Sequence, residues 1–231
     1  MAEAPPPNLI YVLAGVNGAG KSSVLGADLQ ERGAHFFDPD QVTRQLLAAN
    51  PSLTTDSANG EAWQLGRARL EQAVERREDF NFETTLGGTT ITALLERALA
   101  LGQNVGMSYV GLDSVERHIA RVRARVAAGG HDIPEQRIRQ RYDSSRRNLL
   151  RLLPILTWLH VWDNSGEADP KTCAAPRLLL ILHTGRGRVM QHMPLGDVPT
   201  WAKPIVAVAL NPAAATRRPA RPRRTPPTAA R

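Results

Sequence analysis

Gly15-Val16-Asn17-Gly18-Ala19-Gly20-Lys21-Ser22 satisfies G-x-x-x-x-G-K-[ST] at every position, and no other feature constrains this chain as strongly. Glycines in that pattern let successive backbone N–H groups turn inward around phosphate oxygens, at the positive end of the following helix. Lys21 is placed to reach the β- and γ-phosphates of a nucleotide, and the Ser22 hydroxyl to sit on Mg²⁺. Gly15, Asn17, Gly18, Ala19, Gly20 and Ser23 complete the expected phosphate-binding set. The flanks agree with the motif. Leu9 to Ala14 is a short apolar run suited to a buried parallel strand, and Ser22-Ser23-Val24-Leu25 opens a helical stretch. A glycine-rich turn that binds nothing is the alternative, and the order of strand, loop and helix speaks against it.

The rest of the chain alternates in the same way. A helix to about Glu31 leads into a second strand at Ala34 to Asp38, and Pro39-Asp40 starts a helix running to about Ala49. Pro51 to Gly60 reads as a polar loop, and Glu61 to Arg77 as a helix with Trp63, Leu65, Leu70 and Val74 inward. Asp79 to Thr84 is a third strand, followed by Gly87-Gly88 and a helix through Leu99, and Asn104 to Leu112 is a fourth. Asp113-Ser114 caps a basic helix to about Ala128. Gly129 to Pro134 breaks it, Glu135 to Leu153 is another helix, Leu159 to Asp163 a fifth strand, and Arg177 to His183 with Arg188 to His192 a hairpin. This pattern predicts an α/β protein with the three-layer P-loop fold, its sheet mostly parallel and covered by helices on both faces. In such sheets ligands bind at the carboxyl ends of the strands. The P-loop, Asp38 and Asp40, Glu83 with Thr84 and Thr85, and Asp113 should therefore converge on one edge, with Asp163 further off.

Charge is distributed unevenly. The formal net charge is +7, yet Pro212 to Arg231 carries six arginines and no acid, which leaves +1 for the remainder. Residues 1–7 read as a flexible N-terminus, 8–203 as one domain, and 204–231 as a disordered Pro/Ala/Arg-rich tail. The tail is suited to contact polyanions, a solvated extension being the plainer alternative. A single cysteine, Cys173, excludes disulfides within the monomer, and no apolar stretch approaches a membrane span. The N-terminus lacks the basic and apolar regions of a signal peptide, so a cytoplasmic setting is expected.

Three phosphate chemistries compete. A GTP switch needs a guanine-reading Asn-Lys-x-Asp, which the chain lacks. An ABC-type ATPase finds weak echoes in Leu86 to Thr90 and in Met107 to Asp113, but Ser114 stands where a water-positioning glutamate would be needed. A small-molecule kinase accounts for more residues. Phosphoryl transfer needs a base at the acceptor hydroxyl, a metal ion and cations for the transferred group. Asp40 is placed to receive the proton, and Glu83 to hold a substrate hydroxyl or a water on the metal. Arg117, Arg121 and Arg125 share one helical face, and the Gly129-Gly130 break after them makes a lid of about 114–150. An ATP hydrolase, or a nucleotide-dependent switch or binding module, remains the alternative.

Gly15 to Ser22, Phe37-Asp38-Pro39-Asp40, Phe82-Glu83-Thr84-Thr85, and Gly129-Gly130-His131-Asp132-Ile133-Pro134 with Arg141-Tyr142 resemble zeta-toxin-type P-loop kinases. The likeness is to their short bacterial branch, often labelled predicted ABC-type ATPases, and spans about Asn8 to Trp201. It implies an ATP- and Mg²⁺-dependent kinase acting on a sugar hydroxyl, as the best-known members act on UDP-N-acetylglucosamine, and an antitoxin protein as partner. Lys21 and Ser22 match the phosphate and Mg²⁺ residues, Asp40 the catalytic base and Glu83 the substrate-binding glutamate, with Thr84 and Thr85 beside it. Arg121 or Arg125 matches the first lid arginine. The second falls near His131, a departure, since a neutral imidazole carries no fixed charge at pH 7; Arg137 or Arg141 is the substitute.

Overall fold

The computed structural model describes residues 8–26, 36–166 and 178–211. Among these residues six strands form one sheet: β1 (Leu9–Ala14), β2 (Phe80–Thr84), β3 (Asn104–Gly111), β4 (Trp158–Asp163), β5 (Leu179–Gly185) and β6 (Arg188–His192). Their spatial order is β2-β1-β3-β4-β5-β6, parallel from β2 through β4 and antiparallel for β5 and β6. The chain leaves β1 toward β2 on one side and returns to β3 on the other. That reversal puts the ligand crevice beyond the end of β1, where the P-loop begins.

The six α-helices among the described residues are α1 (Pro39–Ala49), α2 (Thr55–Arg76), α3 (Thr89–Ala100), α4 (Val115–Ala127), α5 (Glu135–Leu152) and α6 (Lys203–Leu210). Register explains the core. Ile10, Val12 and Ala14 of β1 lie beside Val105, Met107 and Tyr109 of β3, and the last two of these beside Leu159 and Val161 of β4. These side chains share one face of the sheet, and Leu70, Leu95, Leu149, Leu152 and Ile205 from α2, α3, α5 and α6 join them in one apolar cluster. The other face carries a half-buried aromatic row, Tyr11, Trp158, His160 and Trp162. A second, smaller cluster of Val16, Ile119, Val122, Ile133 and Ile138 joins the P-loop to α4, the 129–134 loop and α5.

Several boundaries differ from the sequence reading. Of the strand expected at Ala34 to Asp38, the described part is a single bridge, Phe37 to Phe82. The helix expected to Glu31 is described only as a π-helical turn, Ser22–Gly26; its remainder, residues 1–7, Cys173 and the tail from Pro212 lie outside the described residues. Helix α2 begins at Thr55, inside the expected loop, because Thr54 accepts the Ser57 N–H (3.2 Å) and Asp56 favours the helix's positive end. Trp63 and Leu65 do not face inward; they are 44% and 41% exposed. The inward stripe of α2 is Ala58, Ala62, Leu70, Ala73 and Val74, so small residues set the phase and the two large ones fall beside it.

Helix α6 also corrects the domain boundary at 203/204. Pro204 sits in its first turn, where a missing N–H costs nothing, and Ile205 and Val206 are buried. The ordered domain thus continues to at least Asn211. Ile205→Ala is expected to destabilise the protein by about 3 kcal/mol, a typical cost for truncating a buried isoleucine, read from the urea unfolding midpoint.

Candidate active site

Two glycines show why the loop after β1 takes its shape. Gly15 has φ +143°, and a Cβ there would collide with the Val110 carbonyl oxygen of β3. Gly20 has φ +84°, and its Cβ would lie 2.5 Å from Nδ2 of Asn164. The loop between them is fastened from three directions. Gly15 N–H donates to the Thr84 carbonyl (3.2 Å), Asn164 Nδ2 donates to the Ala19 carbonyl (2.8 Å), and His118 Nδ1 bonds the Asn17 carbonyl (2.8 Å). Arg141 of α5 adds a bond from Nη1 to Asn17 Oδ1 (2.8 Å).

Lys21 is buried. Its Nζ lies 3.4 Å from the Val16 carbonyl and 3.4 Å from Glu83 Oε1. Ser22 Oγ donates to the other carboxylate oxygen of Glu83 (2.6 Å), and Ser23 Oγ turns back to the Gly20 carbonyl (3.2 Å). Glu83 is the penultimate residue of β2, opposite Leu13 of the neighbouring β1, which brings its side chain under the loop. Thr84 uses its hydroxyl to accept the Leu86 N–H (3.0 Å), shaping the exit from β2.

Beside the P-loop lies a cavity of about 550 Å³. Asp38, Asp40, Glu83, Thr84 and Thr85 line it from the strand ends, and His131, Arg137 and Arg141 from the lid. Trp63 and Arg67 of α2 line it as well. Asp38 caps α1 by accepting the Asp40 N–H (2.9 Å). Burial raises the pKa of Asp38, and the nearby charges of Glu83 and Asp40 add to it. Arg125 of α4 reaches this carboxylate group, with Nη1 3.6 Å from Asp40 Oδ2 and Nη2 donating to the His131 carbonyl (3.1 Å).

The expected arginine face opens like a fan. Arg117 pairs with Asp113 (2.9 Å), Arg121 donates to the carbonyls of Asn164 (2.8 Å) and Gly166 (3.0 Å), and Arg125 meets Asp40 (3.6 Å). Asp113 and Asp163 do not join the converging acids. Asp113 is taken by Arg117 and Ser114, and Asp163 by the Trp201 indole N–H (2.9 Å) and the Ser165 hydroxyl (2.7 Å). His118 is the residue that sequence reasoning passed over. His118 shares the inward stripe of α4 with Ile119 and Val122, which was the available signal.

The residues fit a divalent cation brought by a nucleotide. Ser22 Oγ and the Glu83 carboxylate are hard oxygen donors side by side, and Mg²⁺ takes few direct protein ligands when phosphates and water supply the rest. No group of three or more His, Cys, Asp or Glu among the described residues is arranged to hold a metal ion. No helix among them is long and apolar enough to cross a membrane.

A P-loop at the reversal point of a mostly parallel sheet, with helices on its faces and a cavity adjoining the loop, defines the three-layer P-loop fold. The zeta toxin family model matches residues 3–167, and the chain belongs to that family. An uncharacterized protein of Haemophilus influenzae is 33% identical over 128 residues, 55% of this chain and 88% of that protein. A chain in the crystal structure of AvrRxo1-ORF1:AvrRxo1-ORF2 with sulphate ions superposes with a TM-score of 0.59 at 15% identity, over 80% of this chain. The corresponding structure with ATP gives 0.58 at 15% identity, over 79%. This chain spans 61% and 59% of those two chains, and the likeness is one of fold.

The His118 contact yields a pH dependence. Burial lowers this imidazole to about 4, with repulsion from Lys21, Arg121 and Arg146 outweighed in part by the bond to Asn17. His160 is likewise lowered to about 4, by burial and then by His183. Unfolding restores a pKa near 6.5 to both. The unfolded chain therefore binds more protons between pH 6.5 and about 4, and stability present above pH 6.5 is lost as pH falls through that window. Urea midpoints at pH 7.5, 5.5 and 4.5 should fall accordingly. His118→Asn, which keeps a donor for Asn17 without the ionisation, should make that fall shallower.

Proposed function

We propose that this chain is an ATP-dependent kinase that transfers the γ-phosphoryl group to a hydroxyl of a small, sugar-nucleotide-like acceptor such as UDP-N-acetylglucosamine. One observation carries the reading. The cavity beside the P-loop has Asp40 in its wall, and the lid's Arg125 reaches the same carboxylate. A hydrolase or switch has no use for a second chamber of this size with a carboxylate at its junction with the phosphate loop. Membership of the zeta toxin family supports the same class, and the ATP in the AvrRxo1-ORF1:-ORF2 structure supports ATP as donor.

In this mechanism Asp40 accepts the proton of the attacking hydroxyl. The carboxylate is held at the start of α1 by the Asp38 cap, so the base is oriented before the acceptor arrives. Lys21 and the loop N–H groups hold the donor phosphates, and Arg125 offsets negative charge spreading over the transferred group. Mg²⁺, held by Ser22 with help from Glu83, neutralises phosphate charge when bound. Thr85 and His131 face the acceptor, while Arg137 and Arg141 supply the fixed positive charge that an anionic acceptor needs. Arg121 anchors α4 to residues 164–166 and acts at a distance from Asp40. The contact between Arg125 and Asp40 supports giving the charge-offsetting part to Arg125 rather than Arg121. An antitoxin-like protein partner follows from the family reading, and a polyanion contact from the arginines beyond Pro212.

Asp40→Asn is expected to lower the transfer rate by roughly 10²–10⁴-fold, the range for removing a general base, while ATP affinity is unchanged. Incubation with labelled ATP and a panel of hydroxylated acceptors that includes UDP-N-acetylglucosamine, with products resolved by mass, checks both the class and the acceptor. Phosphate release that no acceptor changes would favour the hydrolase instead. Trp63 presents an exposed ring to the cavity, suited to stacking on a planar or sugar ring. Trp63→Ala should raise KM for the acceptor roughly tenfold, the loss of about one stacking contact, with kcat and the KM for ATP held.

A further inference from the structure

Arg141 stands where α5 otherwise turns small or apolar side chains inward. Ile138, Ser145, Leu149 and Leu152 are the buried residues of that helix, and Arg141 falls on the same stripe, between the first two. A guanidinium at such a position loses hydration, and a partner must replace the lost water. Its partner is an uncharged amide, for Nη1 donates to Asn17 Oδ1 of the P-loop at 2.8 Å. Asn17 is fixed in turn through its carbonyl by His118 (2.8 Å). On its other side the Arg141 stem lies against Gly87, where a Cβ would come within 2.9 Å of the arginine Cγ.

The neighbouring arginines are arranged differently. Arg117, Arg123 and Arg125 of α4, and Arg139, Arg146 and Arg151 of α5, each meet a carboxylate. Among the described residues no carboxylate lies within ion-pair distance of Arg141. Burial, and then the charge of Arg137, lower its pKa below the ordinary arginine value, and Asp40 offsets them only in part. Arg141 lines the cavity with Arg137, Gln140 and Ser144 of the same helix. A poorly solvated cation that is oriented by a neutral group keeps its charge for an incoming anion.

We propose that Asn17 is a positioning residue for the acceptor: its side-chain oxygen holds Arg141 in the cavity wall as a cation still able to pair, which receives an anionic group of the acceptor. The inference rests on the kinase reading above. It goes beyond that reading by giving a side chain of the P-loop itself a part in acceptor recognition. Without that oxygen the guanidinium turns away from the wall, and the anion must order it again.

The test is calorimetric titration of UDP-N-acetylglucosamine, UDP and pyrophosphate into the protein with its P-loop filled by Mg²⁺ and a non-hydrolysable ATP analogue. Asn17→Ala should raise Kd for all three by roughly tenfold, because all three carry the charge that Arg141 receives. Its affinity for Mg²⁺·ATP should change by less than about threefold, since the loop N–H groups and Lys21 hold those phosphates. Arg141→Gln should raise the same three Kd values by roughly 10–100-fold, the range for losing a hydrogen bond to a charged group. The double variant should be no weaker than Arg141→Gln, because the same interaction is removed twice. Additive losses overturn the proposal, and so does a loss confined to ATP. Gly87→Ala presses on Arg141 from the opposite side and should give a loss in the same direction; it replaces Asn17→Ala if that chain does not fold. If none of the three compounds binds the filled wild type, no anion site adjoins the loop and the proposal is overturned. If they bind with this dependence on Asn17 and no phosphoryl transfer is seen, the anion site stands and the kinase reading alone fails.

Discussion

The structure around the site depends on how the P-loop backbone is held. Loop carbonyls and N–H groups find partners on elements far apart in sequence: Thr84 of β2, Asn164 after β4 and His118 of α4. A glycine-rich loop left alone has high conformational entropy, and phosphate binding would have to order it. Here the surrounding elements do so in advance. The apolar cluster of Val16, Ile119, Val122, Ile133 and Ile138 reinforces the arrangement by packing the lid helices onto the loop. A neutral His118 matters for the same reason. Burial next to Lys21 and Arg121 keeps it uncharged, so its ring bonds the Asn17 carbonyl without adding another cation beneath the loop.

Electrostatics organise the remainder. Asp38, Asp40 and Glu83 gather at the junction of loop and cavity, and each is given a distinct partner: the α1 backbone, Arg125 and the Lys21–Ser22 pair. Three carboxylates so close together would repel one another strongly if left unpaired. Their partners come from different elements, which divides the region into the P-loop on one side and the cavity lined by α5 and residues 131–134 on the other. The lid arginines follow that division, with Arg121 fixed to the 164–166 segment and Arg125 reaching across to Asp40.

Much of this was legible in the chain. The strand-loop-helix order, the Asp-x-Asp start of α1, the Ser114 cap of α4 and the Gly129-Gly130 break can all be read locally, because capping, glycine and proline act over a few residues. The α2 phase was not, since Trp63 and Leu65 are the larger apolar residues and the inward stripe is mostly alanine. Helix α6 was hidden by proline and alanine beside a basic tail, although Ile205 and Val206 bury themselves against the core.

By itself the sequence determined the fold class, the P-loop and the set of acids and arginines at the strand ends, because each rests on short-range pattern and backbone chemistry. Only the tertiary structure decided which of them meet. Whether Arg121 or Arg125 meets Asp40, whether Glu83 reaches Lys21 and Ser22, and whether Asp113 lies with the other acids depend on helix rotation and strand register. Those are settled by packing across the whole sheet, where residues separated by a hundred positions compete for the same few ångströms.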